Sequence, residues 1–165
     1  MIIERPDPPY AASERAMLDA FLAFHQQTLL IKIDGLNDEQ LRRAIVPSGV
    51  SLLGMMKHIA YVHRWWFRAV FAGEQVEFPW TKEDPDADWR VEPHETTQQI
   101  VELYREELAL ARAITQAADD LDALPRMAER PRTLRWILVH MVEECARHNG
   151  HADILRELID GKTGE

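Results

Sequence analysis

Apolar residues recur at helical spacing along most of the chain. The first such stretch fits a helix over about 11–33. Met17, Leu18, Phe21, Leu22, Phe24, Leu29 and Ile33 supply its apolar positions, Ser13 is its cap, and Asp34-Gly35 ends it. Asn37-Asp38-Glu39-Gln40 reads as the cap and opening turn of a short helix through Ala44. After the break at Pro47-Ser48-Gly49, Ser51 caps a second long helix over about 51–72, which stops before Gly73. Thr96 or Thr97 opens a third over about 95–119. Thr133 opens the last, over about 133–160, and Gly161 closes it.

The intervening segments have a different texture. Residues 1–10 are proline-rich and predict an extended arm. Residues 73–93 hold Pro79, Pro85, Pro93 and several acids, so helix is not expected there. A loop of ~20 residues within a compact domain is often functional, and Trp80 and Trp89 can fold it over the body. Residues 120–132, with Pro125 and Pro131, form the next connection. No alternating strand pattern and no repeat occurs. The expectation is an all-α four-helix bundle, one domain spanning residues 1–165.

Composition narrows the class of function. A formal net charge of −9 leaves no basic surplus for general nucleic-acid binding. Cys145 is the one cysteine, which excludes an intrachain disulfide and a Cys-rich zinc site. No apolar run approaches the ~18 residues that span a bilayer. The N-terminal stretch lacks the apolar core of a signal peptide. A cytoplasmic protein with no membrane or nucleic-acid partner is expected.

The candidate chemistry lies in the last helix. Residues four apart share a helix face, so His140, Glu144 and His148 form one polar stripe, with His151 a turn beyond. Burying such a stripe among Ile, Leu, Val, Met and Trp is costly unless something satisfies it, and a divalent metal does so. The α-carbons of His140 and His148 lie ~12 Å apart along the axis, too far for one ion with ~2 Å bonds. His140/Glu144, Glu144/His148 and His148/His151 remain as pairs. A third ligand has to come from another helix, where His58 stands mid-helix among apolar residues. His63 is rotated ~140° from His58, so it is expected to face outward or toward a loop. His25 and His94 read as surface or packing residues, and Cys145 as a packed thiol. Trp65, Trp66 and Trp136 read as core, and Glu102, Glu106 and Glu107 as a solvated face. Arg64 and Arg147 are candidates for holding a substrate carboxylate, against the alternative of surface ion pairs.

Two segments also carry a family resemblance. Ser51-Leu-Leu-Gly-Met-Met-Lys-His58-Ile-Ala-Tyr-Val-His63-Arg-Trp-Trp-Phe67 resembles the second helix of the DinB-like metalloprotein superfamily. Leu138-Val-His140-Met-Val-Glu-Glu144-Cys-Ala-Arg-His148-Asn-Gly-His151-Ala-Asp153 resembles its last helix. The similarity runs from about residue 10 to 160 and is closest to the actinobacterial DinB-like subgroup, formerly a domain of unknown function. That resemblance implies a three-residue metal site at His58, Glu144 and His148. Glu144 stands where many members carry His, which matches the His-Glu-His version found in mycothiol-dependent maleylpyruvate isomerases. His151 falls where many relatives carry Gln, and His63 where close relatives often carry Glu. The resemblance thus implies pocket or supporting roles for His140, His151, Arg147 and His63.

Two His and one carboxylate leave coordination positions open, as in catalytic sites. Zinc is expected ahead of nickel, iron or manganese. The function implied is a metal-dependent thiol transferase, a detoxification enzyme or an isomerase. It would use mycothiol or a similar low-molecular-weight thiol against an electrophile, and a homodimer would fit the family. The alternative is a non-catalytic metal-binding stress-response bundle.

Overall fold

The computed structural model describes residues 3–127, 129 and 131–164. The helices follow the caps. α1 spans Glu14–Ile33, with the Ser13 side chain accepting from the Ala16 amide. α2, Asp38–Arg42, opens with a capping box between Asn37 and Gln40. α3 spans Leu52–His63 behind the Ser51 cap. α4 is Thr97–Ala117, capped by Thr96 with Gln99 in a second capping box. α5 runs Leu134–Asp160 from Thr133 to Gly161, whose φ of 80° is the left-handed stop that glycine supplies without strain. No strand occurs among the described residues.

One feature departs from the periodic reading. The second long helix does not stay α-helical to residue 72. Arg64–Phe71 is a π-helix, closed by an Ala72 amide bonded to the Phe67 carbonyl five residues back at 2.9 Å. The sequence period alone does not mark this widening.

α1 packs chiefly against α5, and α3 chiefly against α4; α3 and α5 meet across the centre. Leu52, Leu53, Met55, Met56, Ile59, Leu134, Ile137, Leu138 and Met141 are buried in one core with Leu29 and Ile100. The α3–α5 seam is therefore walled by apolar side chains, and polar groups placed on it meet each other rather than bulk water. In the predicted arm, residues 3–10 carry no helix, and Arg5 ties them down by donating to Thr28 Oγ1 at 3.2 Å. Met1 and Ile2 of that arm lie outside the described residues, as do Ala128 and Arg130 in the 120–132 connection.

Candidate metal centre

α3 carries His58 to the seam from one side, and α5 carries Glu144 and His148 from the other. His148 Nε2 lies 3.2 Å from Glu144 Oε1, and His58 Nε2 lies 3.8 Å from the same oxygen. One donor atom from each of the three sits within 4.8 Å of the other two. The two imidazoles meet edge to face with ring centroids 5.2 Å apart.

The 73–93 loop folds over this cluster. Its 3₁₀ turn, Ala87–Trp89, sets two side chains on His58. His58 Nδ1 donates to buried Asp88 at 2.7 Å. The Trp89 indole stacks on the imidazole at 3.8 Å and 15°. Fixing the proton on Nδ1 leaves the Nε2 lone pair aimed at Glu144 and His148, the arrangement that orients metal-binding histidines. The loop is itself anchored by buried Lys57. Its Nζ donates to the Arg90 carbonyl at 2.7 Å and to Glu95 Oε2 at 2.8 Å.

Gly54 allows that close approach, because a Cβ at this position would collide with the Trp89 carbonyl oxygen. Gly54 lies in the first turn of α3, where replacing a helical Gly by Ala ordinarily gains up to ~1 kcal/mol of helix propensity. Here the obstacle is backbone, so Gly54→Ala is expected to push Asp88 and Trp89 off His58. Zinc titration of the variant should show affinity lower by about 10–100-fold, the cost of losing an orienting partner.

The electrostatics favour cation capture. Hydrogen bonds to His148 and then His58 hold the Glu144 carboxyl far below the usual carboxylate range, so it is anionic. Burial disfavours a proton on His58, but the hydrogen bonds to Asp88 and Glu144 outweigh it and raise its pKa. His148 Nδ1 is buried without a hydrogen-bond partner among the described residues. Without an ion, both imidazoles serve Glu144 as proton donors, while His148 Nδ1 has no partner among the described residues. A divalent ion fits this set of side chains, since it would take the place of the protons shared with Glu144 and give two imidazoles and the carboxylate a common partner. All three residues line a cavity of about 610 Å³ that also takes in Arg147 and His151.

Comparison with known proteins locates this arrangement. A sequence model of the mycothiol S-transferase family matches residues 17–161. The chain belongs to the mycothiol S-transferase family, a DinB-like family. No curated protein matches it. Among solved structures it is similar to a conserved protein from Enterococcus faecalis, with a TM-score of 0.63 and 17% identity over 92% of this chain and 100% of that one. At that identity the likeness speaks to the fold alone.

The other residues marked in the sequence of this mycothiol S-transferase family member divide into two groups. His140 and His151 flank the cluster. His140 stacks on Trp136 at 4.9 Å and meets Trp66 edge-on at 5.2 Å, while His151 is exposed beside His148, ring centroids 5.5 Å apart. Arg147 is exposed at the cavity.

His63 is elsewhere, which corrects both the pocket role and the outward orientation expected for it. It is 0% exposed. Its Nδ1 donates to the Ile59 carbonyl at 2.8 Å, its Nε2 lies 2.9 Å from Gln26 Nε2, and its ring packs near Phe67 and Tyr104. Glu107 is also not on a solvated face. It is 1% exposed, and its Oε1 accepts from Arg64 and Arg68 of the π-helix. That pairing occupies Arg64, which is neither a surface ion pair nor free to hold a substrate. Trp136, expected in the core, is 42% exposed, and Trp65 and Trp66 are only partly buried. Cys145 is buried, and burial raises its pKa well above that of a free thiol, so it is no nucleophile. No sequence pattern marks Asp88. It stands in an aperiodic loop, and Trp80 and Trp89 are the signals that this segment returns to the body.

Proposed function

We propose that this chain is a divalent-metal-dependent thiol S-transferase using mycothiol or a similar low-molecular-weight thiol, with His58, Glu144 and His148 holding the ion. Zinc suits two imidazoles and a carboxylate, ahead of nickel, iron or manganese. The observation that carries the reading is the convergence of three donor atoms within 4.8 Å, at the wall of a cavity that admits a small molecule. Membership in the mycothiol S-transferase family supports the choice of thiol.

When bound, such an ion supplies Lewis acidity that lowers the pKa of a thiol brought to it. The protein's own groups do the rest. Asp88 holds the His58 proton at Nδ1 and so keeps Nε2 available. Glu144 stays anionic and offsets the ion's charge. Trp89 covers one face of His58 and keeps water from it.

The test is transfer of mycothiol to an electrophile by protein purified without an affinity tag. Activity should vanish with a chelator and return with zinc. Stoichiometric metal without turnover on any electrophile would favour the non-catalytic metal-binding bundle. The Asp88→Asn variant should bind zinc about 10–100-fold more weakly, measured by competition with a chromogenic chelator, because a neutral amide oxygen is a weaker acceptor for the His58 proton than the carboxylate.

A further inference from the structure

The cluster is reached from two sides. His58, Glu144 and Trp89 line the 610 Å³ cavity and also a second cleft of about 470 Å³. The two differ in chemistry. The first carries Arg147 and His151 and includes all three of His58, Glu144 and His148. The second is walled by Trp65, Trp66 and Trp80, carries Asp86 and Asp88, and includes His58 and Glu144 but not His148.

We infer that the tryptophan-walled cleft binds the electrophilic co-substrate, and that this co-substrate is a flat aromatic molecule without negative charge. The inference rests on the thiol-transfer reading. A thiol whose sulfur must reach an ion held by three residues has to occupy the cavity that all three line. Sulfur ionises as it reacts, and Arg147 and His151 put cationic and hydrogen-bonding groups on that side. The second substrate then approaches across the His58–Glu144 edge. Indole walls supply flat apolar area with stacking geometry. Trp80 is held ready by stacking on Phe78 at 4.4 Å and by edge contact with Tyr61 at 6.0 Å. Exposed Asp86 puts a negative charge on the cleft wall and disfavours an anion there, whereas Asp88 and Glu144 are engaged with His58 and the cluster. A dicarboxylate electrophile therefore fits this cleft badly, and an uncharged aryl halide fits it well. In such a transfer the thiol proton goes to water, the sulfur lone pair forms the carbon–sulfur bond, and halide leaves with the carbon–halogen pair.

Two measurements test this. The first needs neither metal nor thiol. Unreactive dinitrotoluene is titrated into the wild-type protein while the indole N–H signals of the five tryptophans are followed by NMR, assigned by single Trp→Phe variants. Saturable shifts at Trp65, Trp66 and Trp80 are expected, unaltered by chelator. Trp80→Ala should weaken binding about 2–10-fold and Trp80→Phe should restore most of it.

The second measurement is turnover of chlorodinitrobenzene with mycothiol. Trp80→Ala should raise KM for the aryl chloride by a similar factor while zinc content and the KM for mycothiol hold. A chlorodinitrobenzoate should show the higher KM of the two aryl chlorides, with Asp86→Asn narrowing the gap. Shifts confined to other tryptophans, or a carboxylated probe that binds as well as the neutral one, would overturn the inference. Aromatic binding in the cleft without turnover would count against the thiol-transfer reading alone. Turnover indifferent to Trp80→Ala would count against the cleft alone.

Discussion

The His148→Ala protein, purified without an affinity tag, is expected to contain no stoichiometric divalent metal and to have lost thiol transfer with it. His148 is buried, and its Nε2 faces Glu144, a fellow member of the cluster. Its removal leaves one imidazole and one carboxylate on opposite sides of the seam. The loss should exceed the 10–100-fold that follows from deleting an outer partner such as Asp88. Stability gives a second readout. Free zinc at a thousand times its dissociation constant stabilises a folded protein by about 4 kcal/mol. The wild type should show that increment in denaturant midpoint on adding zinc after chelation, and His148→Ala should not. Comparing increments removes the separate cost of the cavity that the substitution leaves. Glu144→Gln keeps the side-chain shape and should fail in the same way. His140→Ala should retain the metal, because His140 leans on Trp136 and Trp66 rather than on the donor atoms. If His148→Ala keeps its metal and His140→Ala loses it, the centre is built on His140 and Glu144.

Acid is expected to weaken the protein through His63, which is not one of the proposed metal-holding residues. Burial lowers the His63 pKa from 6.5 to about 4, only partly opposed by its bond to the Ile59 carbonyl. Between those values the unfolded chain takes up a proton that the folded one refuses. Stability from this group is therefore full above pH 6.5, falls as pH drops, and is gone below about pH 4. Between pH 7 and pH 5 the loss is about 2 kcal/mol. Urea midpoints of wild type and His63→Gln at both pH values, with chelator present so that metal release adds nothing, should differ in pH dependence by that amount. Parallel behaviour of the two proteins would show that His63 takes up its proton without unfolding.

These residues show where sequence reading succeeded and why it stopped. Caps are legible because they are local: the side chains of Ser13, Asn37, Ser51, Thr96 and Thr133 each accept from the amide three residues on. The convergence of His58 on the polar stripe of α5 is legible in part: helical spacing leaves His140/Glu144, Glu144/His148 and His148/His151 open, and the family resemblance implies Glu144 with His148. Rotation away from His58 does not bring His63 to solvent, because α3 is buried on nearly every face, from Leu52 through Ala60. Glu107 was misplaced because its partners, Arg64 and Arg68, lie on a different helix, and spacing within α4 cannot announce them. Asp88 belongs to a loop with no period, so its return to His58 depends on contacts that no local pattern encodes.

Lys57 and His58 are neighbours on one helix, and both grip the same crossing strand of loop. Lifting that loop would strand a buried ammonium and strip an imidazole of its acceptor in one movement. Such a cover is a fixed roof and not a gate. On the thiol-transfer reading, product release is then expected to depend on how firmly the two clefts hold the product and not on movement of this loop.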